Sequence, residues 1–81
     1  MSVTFYVALP FIRTDDGLVP GPAQECPGAH AAIARAQSMA RMPGHVGAIA
    51  FQRTGDPNLG EFGDAEILKR VGETPDDVSE L

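Results

Sequence analysis

Cys26, His30 and His45 are the residues of this chain whose types could carry nucleophilic or metal chemistry. Cys26 and His30 stand at C-x3-H spacing around the start of a predicted helix. Free N–H groups and the helix dipole there favour a thiolate, and an imidazole one turn along could serve as its base. Around them there is no second thiol at C-x-x-C spacing, no recognisable oxyanion arrangement and no third group to orient the histidine. The sequence therefore assigns no catalytic residue and leaves Cys26 and His30 as the candidates. The competing reading is a small, semi-buried cysteine closing the helix start beside a solvent-facing histidine.

A metal reading of the same residues fails on distance. A zinc site needs three or four ligands converging at about 2.0 to 2.3 Å, and a helix of roughly 20 Å separates Cys26 from His45. Asp56-Pro57-Asn58-Leu59-Gly60-Glu61 has the D-x-N-x-G start of a calcium loop. It then departs from that pattern: Gly60 replaces an oxygen ligand, Glu61 the sharp-turn glycine and Ile67 the bidentate glutamate. Gly55, Gly60 and Gly63 make no phosphate loop, because no G-x-x-x-x-G-K-[ST] is present and the surroundings are acidic. Arg13, Arg35, Arg41 and Arg53 are the bases of the first 53 residues and could converge on an anion, although their spacing does not require it. No metal and no cofactor is expected.

The elements that must position these residues follow from periodicity. From Val3 to Ile12, Val3, Phe5, Val7, Leu9 and Phe11 occupy one face of a strand, and Thr4, Tyr6, Ala8, Pro10 and Ile12 the other. Asp15-Asp16-Gly17 predicts a hairpin turn. Leu18 to Glu25 returns as a short edge strand or extended arm, because Pro20 and Pro22 lack the N–H of an interior strand. Pro27 fits the first position of a helix whose stripe is Ala29, Ala32, Ile33, Ala36, Met39 and Ala40, and Pro43-Gly44 ends it.

Val46 to Arg53 is apolar on both faces for six residues, which suits an inner strand. Its small residues Gly47, Ala48 and Ala50 suit a place beneath an alanine-rich helix. Thr54 to Gly63 is a polar turn segment. Ala65 to Gly72 is either a helix capped by Asp64 and stopped by Gly72, or a strand pairing back on Val46 to Arg53. The alternation of Ile67, Lys69 and Val71 with Leu68 and Arg70 favours the strand. The predicted fold is a small α+β domain over residues 1–72, β-β-α-β-β, with one helix on a mostly antiparallel four-stranded sheet and an acidic tail over 73–81. The alternative is β-β-α-β-α.

Composition bounds the function. Eighty-one residues make one small domain, which buries only about 60 to 65% of the surface its unfolded chain exposes. One cysteine provides no disulfide within the chain, so the remaining staples are packing, a metal, a ligand or a second subunit. A sheet with a helix on one face leaves the other face uncovered, and a two-fold homodimer is the commonest remedy. The net charge of −5 argues against binding a nucleic acid backbone. That charge is unevenly placed: residues 1–53 hold three acids and four bases, a sum of +1, and residues 54–81 hold eight acids and two bases, a sum of −6. No apolar run approaches the roughly 20 residues of a membrane span. Met1 to Phe5 has no basic signal-peptide region, and with a lone cysteine this predicts a cytoplasmic protein.

Ala50-Phe51-Gln52-Arg53-Thr54-Gly55-Asp56, followed by Gly60, Asp64-Ala65, Ile67-Leu68, Gly72 and Pro75-Asp76-Asp77, resembles a family of short uncharacterised bacterial proteins that end in a similar run. The resemblance spans about residues 46–77 and implies a compact domain that stands alone. It implies no activity and transfers no catalytic residue. The function expected is that of a non-enzymatic, homodimeric protein-interaction module with the acidic C-terminal third as a partner surface. The alternative is a small-molecule or anion binder, or a minor enzyme using Cys26 and His30.

Overall fold

A computed structural model gives the fold and describes residues 2–76. In chain order the elements are β1 (Val3–Thr14), β2 (Gly17–Pro20), β3 (Gln24–Cys26), α1 (Ala29–Ala40), β4 (Gly47–Asp56), β5 (Glu61–Phe62) and β6 (Glu66–Gly72). The α+β class, the single helix and the antiparallel sheet are as the sequence predicts. Among the described residues the strands number six rather than four: the predicted arm from Leu18 to Glu25 is broken into β2 and β3, and β5 forms inside Thr54 to Gly63, where the sequence predicts only a polar turn.

The long strands β1 and β4 pair antiparallel at the centre, with Ala8 opposite Ala50 and Leu9 opposite Ile49. On the free side of β1 lie β2 and β3, and on the free side of β4 lie β5 and β6. The predicted edge strand from Leu18 to Glu25 is interrupted after Pro20, and pairing resumes at Gln24. Two prolines account for the gap, since neither Pro20 nor Pro22 can donate to a ladder. The fully buried Pro10 faces the same break. Its carbonyl accepts the Gly21 N–H at 2.9 Å, so the N–H it lacks is missing from the interrupted edge and not from the β1–β4 ladder.

At the first hairpin Thr14 pairs with Gly17, which has φ +112°, so Asp15 and Asp16 form the turn. The Thr14 hydroxyl accepts the Asp16 N–H and donates to the Gly17 carbonyl, closing the turn locally. Helix α1 starts later than predicted. Gly28 is its N-cap, which puts Pro27 outside the first helical position and Cys26 in β3. Cys26 can occupy a strand because β3 pairs with Tyr6 to Ala8 before the chain turns into the helix.

The alanine stripe does what its size suggests. Ala32 and Ala36 have no exposed surface and pack in one cluster with Ala8, Ala48, Ala50, Cys26 and Met39. With no side chain beyond Cβ at the contact, the helix axis can approach the sheet closely. The helix therefore covers the Tyr6 and Ala8 row of β1, and the row of Val7, Leu9 and Phe11 faces away from it.

That second face is not the bare surface the sequence predicts. Ile49 is 0% and Phe11 2% exposed, although no helix lies over them. The sheet curls, and Leu9, Phe11, Ile49 and Phe51 form a second cluster flanked by Val7, Ala65 and Ile67. Fully burying a side chain of this kind contributes about 1.5 to 3 kcal/mol, so the second cluster is a main source of stability in a chain without a disulfide.

The final element is a strand, as the alternation favours, with a bulge that alters its facing. Ala50 pairs with Lys69 and Phe51 with Ile67, so Leu68 is the extra residue. Ile67 packs in the second cluster while Leu68 packs against the first. Beyond the bulge Val71 lies opposite Ala48 and Arg70 opposite Ile49. The single row of Ile67, Lys69 and Val71 expected from the sequence is therefore broken. Residues just past Gly72 make contacts with the sheet. Glu73 donates its N–H to the Val46 carbonyl at 2.9 Å and pairs with Arg13, and Arg70 donates to the Pro75 carbonyl. Residues 77–81 of the predicted tail lie outside the described residues.

Candidate functional site

The structure separates the residues that the sequence grouped for chemistry. Cys26 is buried between sheet and helix, where its thiol makes a long 3.7 Å contact with the Gln24 carbonyl. His30 is exposed on the helix. His45 is half-buried beyond the helix end, with Nδ1 2.8 Å from the Met39 carbonyl oxygen. That bond ties the 41–46 turn back to the last turn of α1. Among the described residues no three His, Cys, Asp or Glu side chains come together to hold a metal ion.

The calcium-like segment is a turn. Asp56 Oδ1 accepts the Asn58 N–H at 2.9 Å, an Asx arrangement, and Gly60 takes φ +68° to bring the chain back into β5. The four arginines do not converge. Arg13 pairs with Glu73, and Arg35 Nε donates to Gln24 Oε1 at 2.8 Å. Arg41 caps the helix C-terminus. Arg53 stands opposite Phe5, eight residues along β1 from Arg13, a distance of about 26 Å in a strand.

Arg53 belongs to a different site. On the sheet face away from the helix, a groove enclosing about 350 Å³ is lined by Phe5, Val7, Ala23, Phe51, Arg53 and Phe62. Its floor is built by register. Phe5 pairs with Arg53 and Val7 with Phe51 across β1 and β4, so four lining side chains project from neighbouring positions on one face. Phe62 on β5 forms a wall, its ring tilted 51° to that of Phe5 with centroids 5.6 Å apart, a favoured aromatic geometry. Ala23, from the linker that the prolines force between β2 and β3, forms part of the lining.

No known protein family, curated protein or solved structure matches the chain.

Five of the six lining side chains are apolar, and the sixth is a guanidinium. Arg53 Nε is shielded from solvent and has no hydrogen-bond partner among the described residues. A buried polar N–H left unpaired costs about 1 to 3 kcal/mol, more when it carries charge. The groove thus presents a largely aromatic apolar lining and one cationic side chain with an unsatisfied donor. Its lining residues include no nucleophile, carboxylate or imidazole. The sequence reading missed it. The available signal was the odd-numbered row of β1 together with Phe51 and Arg53 at the same spacing, but recognising it required the β1–β4 register.

Proposed function

We propose that this chain is a non-catalytic binding module that acts as a homodimer in the cytoplasm, through contacts made by the sheet face opposite the helix. The observation that carries the dimer is the placement of its exposed apolar side chains. Among the described residues five large apolar side chains are exposed: Val3 at 41%, Leu59 at 69% and Phe62 at 45%, and, away from these, Val19 at 36% and Met42 at 40%. Val3 and Phe62 are both register partners of Gly55, and Leu59 lies in the turn of the same β4–β5 hairpin. Together they make an apolar patch at one end of the sheet. A second copy meeting this end about a two-fold axis would cover the same patch on both partners, as an isologous interface requires.

The edges of the sheet favour this end over strand-to-strand pairing. One edge is broken at Pro20 to Ala23, and β6 on the other carries a bulge together with Glu66, Lys69 and Arg70. Both devices discourage edge association. An acidic balance of −5 disfavours a nucleic acid partner, and among the described residues no helix is long and apolar enough to cross a membrane.

Sedimentation velocity at micromolar concentration tests the proposal. The expected result is a dimer, with monomer from a Val3→Glu, Leu59→Glu double variant that retains its circular dichroism. A wild-type protein that sediments only as monomer overturns the dimer. A small-molecule reading of the same face is favoured by the unpaired Arg53 donor.

A further inference from the structure

We propose that the groove is a binding site for a small amphipathic monocarboxylate, with Arg53 as the residue that holds the carboxylate. The inference rests on reading the chain as a binding module; the groove shares Phe62 with the dimer patch, whereas Val3 and Leu59, the residues changed in the dimer test, lie outside its lining, so the two proposals are tested apart.

Three properties of the groove specify this ligand. Its volume of about 350 Å³ lies at the small end of the roughly 300 to 1,000 Å³ usual for ligand sites, which suits a medium-chain acyl or single-ring body. Phe5, Val7, Phe51 and Phe62 offer that body an apolar environment. The guanidinium supplies one positive charge, with an Nε–H that nothing in the described protein accepts. Once the Arg53 side chain turns to bring its Nε–H to the groove, a carboxylate can take Nε–H and a neighbouring Nη–H in parallel, which satisfies the orphan donor and neutralises the charge in one arrangement.

The surroundings exclude other occupants of the cationic end. By register Glu66 stands opposite Gln52, next to Arg53, and accepts the Gln52 side-chain N–H at 2.7 Å, while Glu25 stands opposite Val7; both are exposed and neither lines the groove. Arg13 and Arg35 are engaged elsewhere with Glu73 and Gln24. A phosphate or other multiply charged anion would call for more than one cation, and the protein around the site has a net charge of −5. A single negative charge on an apolar body is the complement that remains.

Octanoate and octanamide form the decisive pair of probes, since they share a chain and differ in the charge at its head. The full-length protein should bind octanoate, seen by calorimetry and as amide shifts centred on Val7, Ala23, Phe51 and Arg53, at least about 10-fold more tightly than octanamide. Arg53→Gln should bring the two probes to the same affinity while keeping the wild-type circular dichroism. Arg53→Lys, which keeps charge but not the paired donors, should retain part of the preference and serves if the glutamine variant fails to fold. Equal affinity of the two probes for the wild type overturns the proposal, as does a preference that survives Arg53→Gln or the absence of binding by either probe. If octanoate converts a dimer to monomer in sedimentation, the occupant of the groove is a second copy, and the small-ligand assignment is overturned.

Discussion

Phe62 stands directly opposite Gly55 in the β4–β5 ladder, so close that a Cβ on Gly55 would lie 2.6 Å from the Phe62 Cα. Gly55 has an ordinary backbone conformation, so it is the space and not the φ angle that calls for glycine here. The same contact brings the Phe62 ring onto Phe5 and so raises one wall of the groove. A two-residue strand has few other means of holding its place.

Gly55→Ala should therefore push β5 away from β4. Overpacking of this kind costs about 1 to 2 kcal/mol, to be read from urea unfolding, and the nuclear Overhauser contacts between the Phe5 and Phe62 rings should disappear. Unchanged stability with those ring contacts intact would show that β5 is held by something other than this approach.

Glu73 provides a test of backbone against side chain at the opposite end of the sheet. Its N–H bonds the Val46 carbonyl, and a Cβ on Gly47 would lie 2.6 Å from its carbonyl carbon. Its carboxylate meets Arg13 where both side chains are more than half exposed, 54% and 55%, so solvent screens the pair. Gly47→Ala should cost about 2 kcal/mol, whereas Glu73→Ala should change stability by less than about 0.5 kcal/mol. Denaturant titrations of the two variants, run side by side, would refute this account if their order were reversed.

Cys26 should behave as a small core residue. It is 9% exposed in the cluster with Ala8, Ala32 and Ala36, and His30 is turned to solvent. At neutral pH a disulfide reagent should label it at least about 10-fold more slowly than free glutathione, with access limited by local opening, and urea should speed the reaction. Labelling as fast as glutathione would restore the reading of a reactive thiol.

Much of the frame was legible in the sequence because it depends on local periodicity. The two-row pattern of Val3 to Ile12, the alanine stripe from Ala29 to Ala40 and the apolar run from Val46 each have a period that belongs to one kind of element. Ala65 to Gly72 was legible as strand or helix, and its alternation pointed to the right choice. The bulge at Leu68 was not legible, since a bulge answers to the partner strand. The groove was illegible for the same reason: Phe5, Phe51, Arg53 and Phe62 lie far apart in the chain, and only pairing Phe5 with Arg53 and Gly55 with Phe62 brings them together.

Cys26 and His30, where the chemistry of this chain first suggested itself, are adjacent in sequence pattern and separated by burial. The sequence by itself determined the long strands β1 and β4, the helix between them, the absence of an internal disulfide and the charge that settles after Arg53. Only the tertiary structure decided which row of β1 the helix covers, how far the sheet curls over Ile49, and that Arg53 lies shielded among aromatic rings. Periodicity sorts side chains into faces at the cost of no long-range information. Which face meets which layer is settled by summed burial over residues distant in the chain, and that sum exists only once the strands have paired.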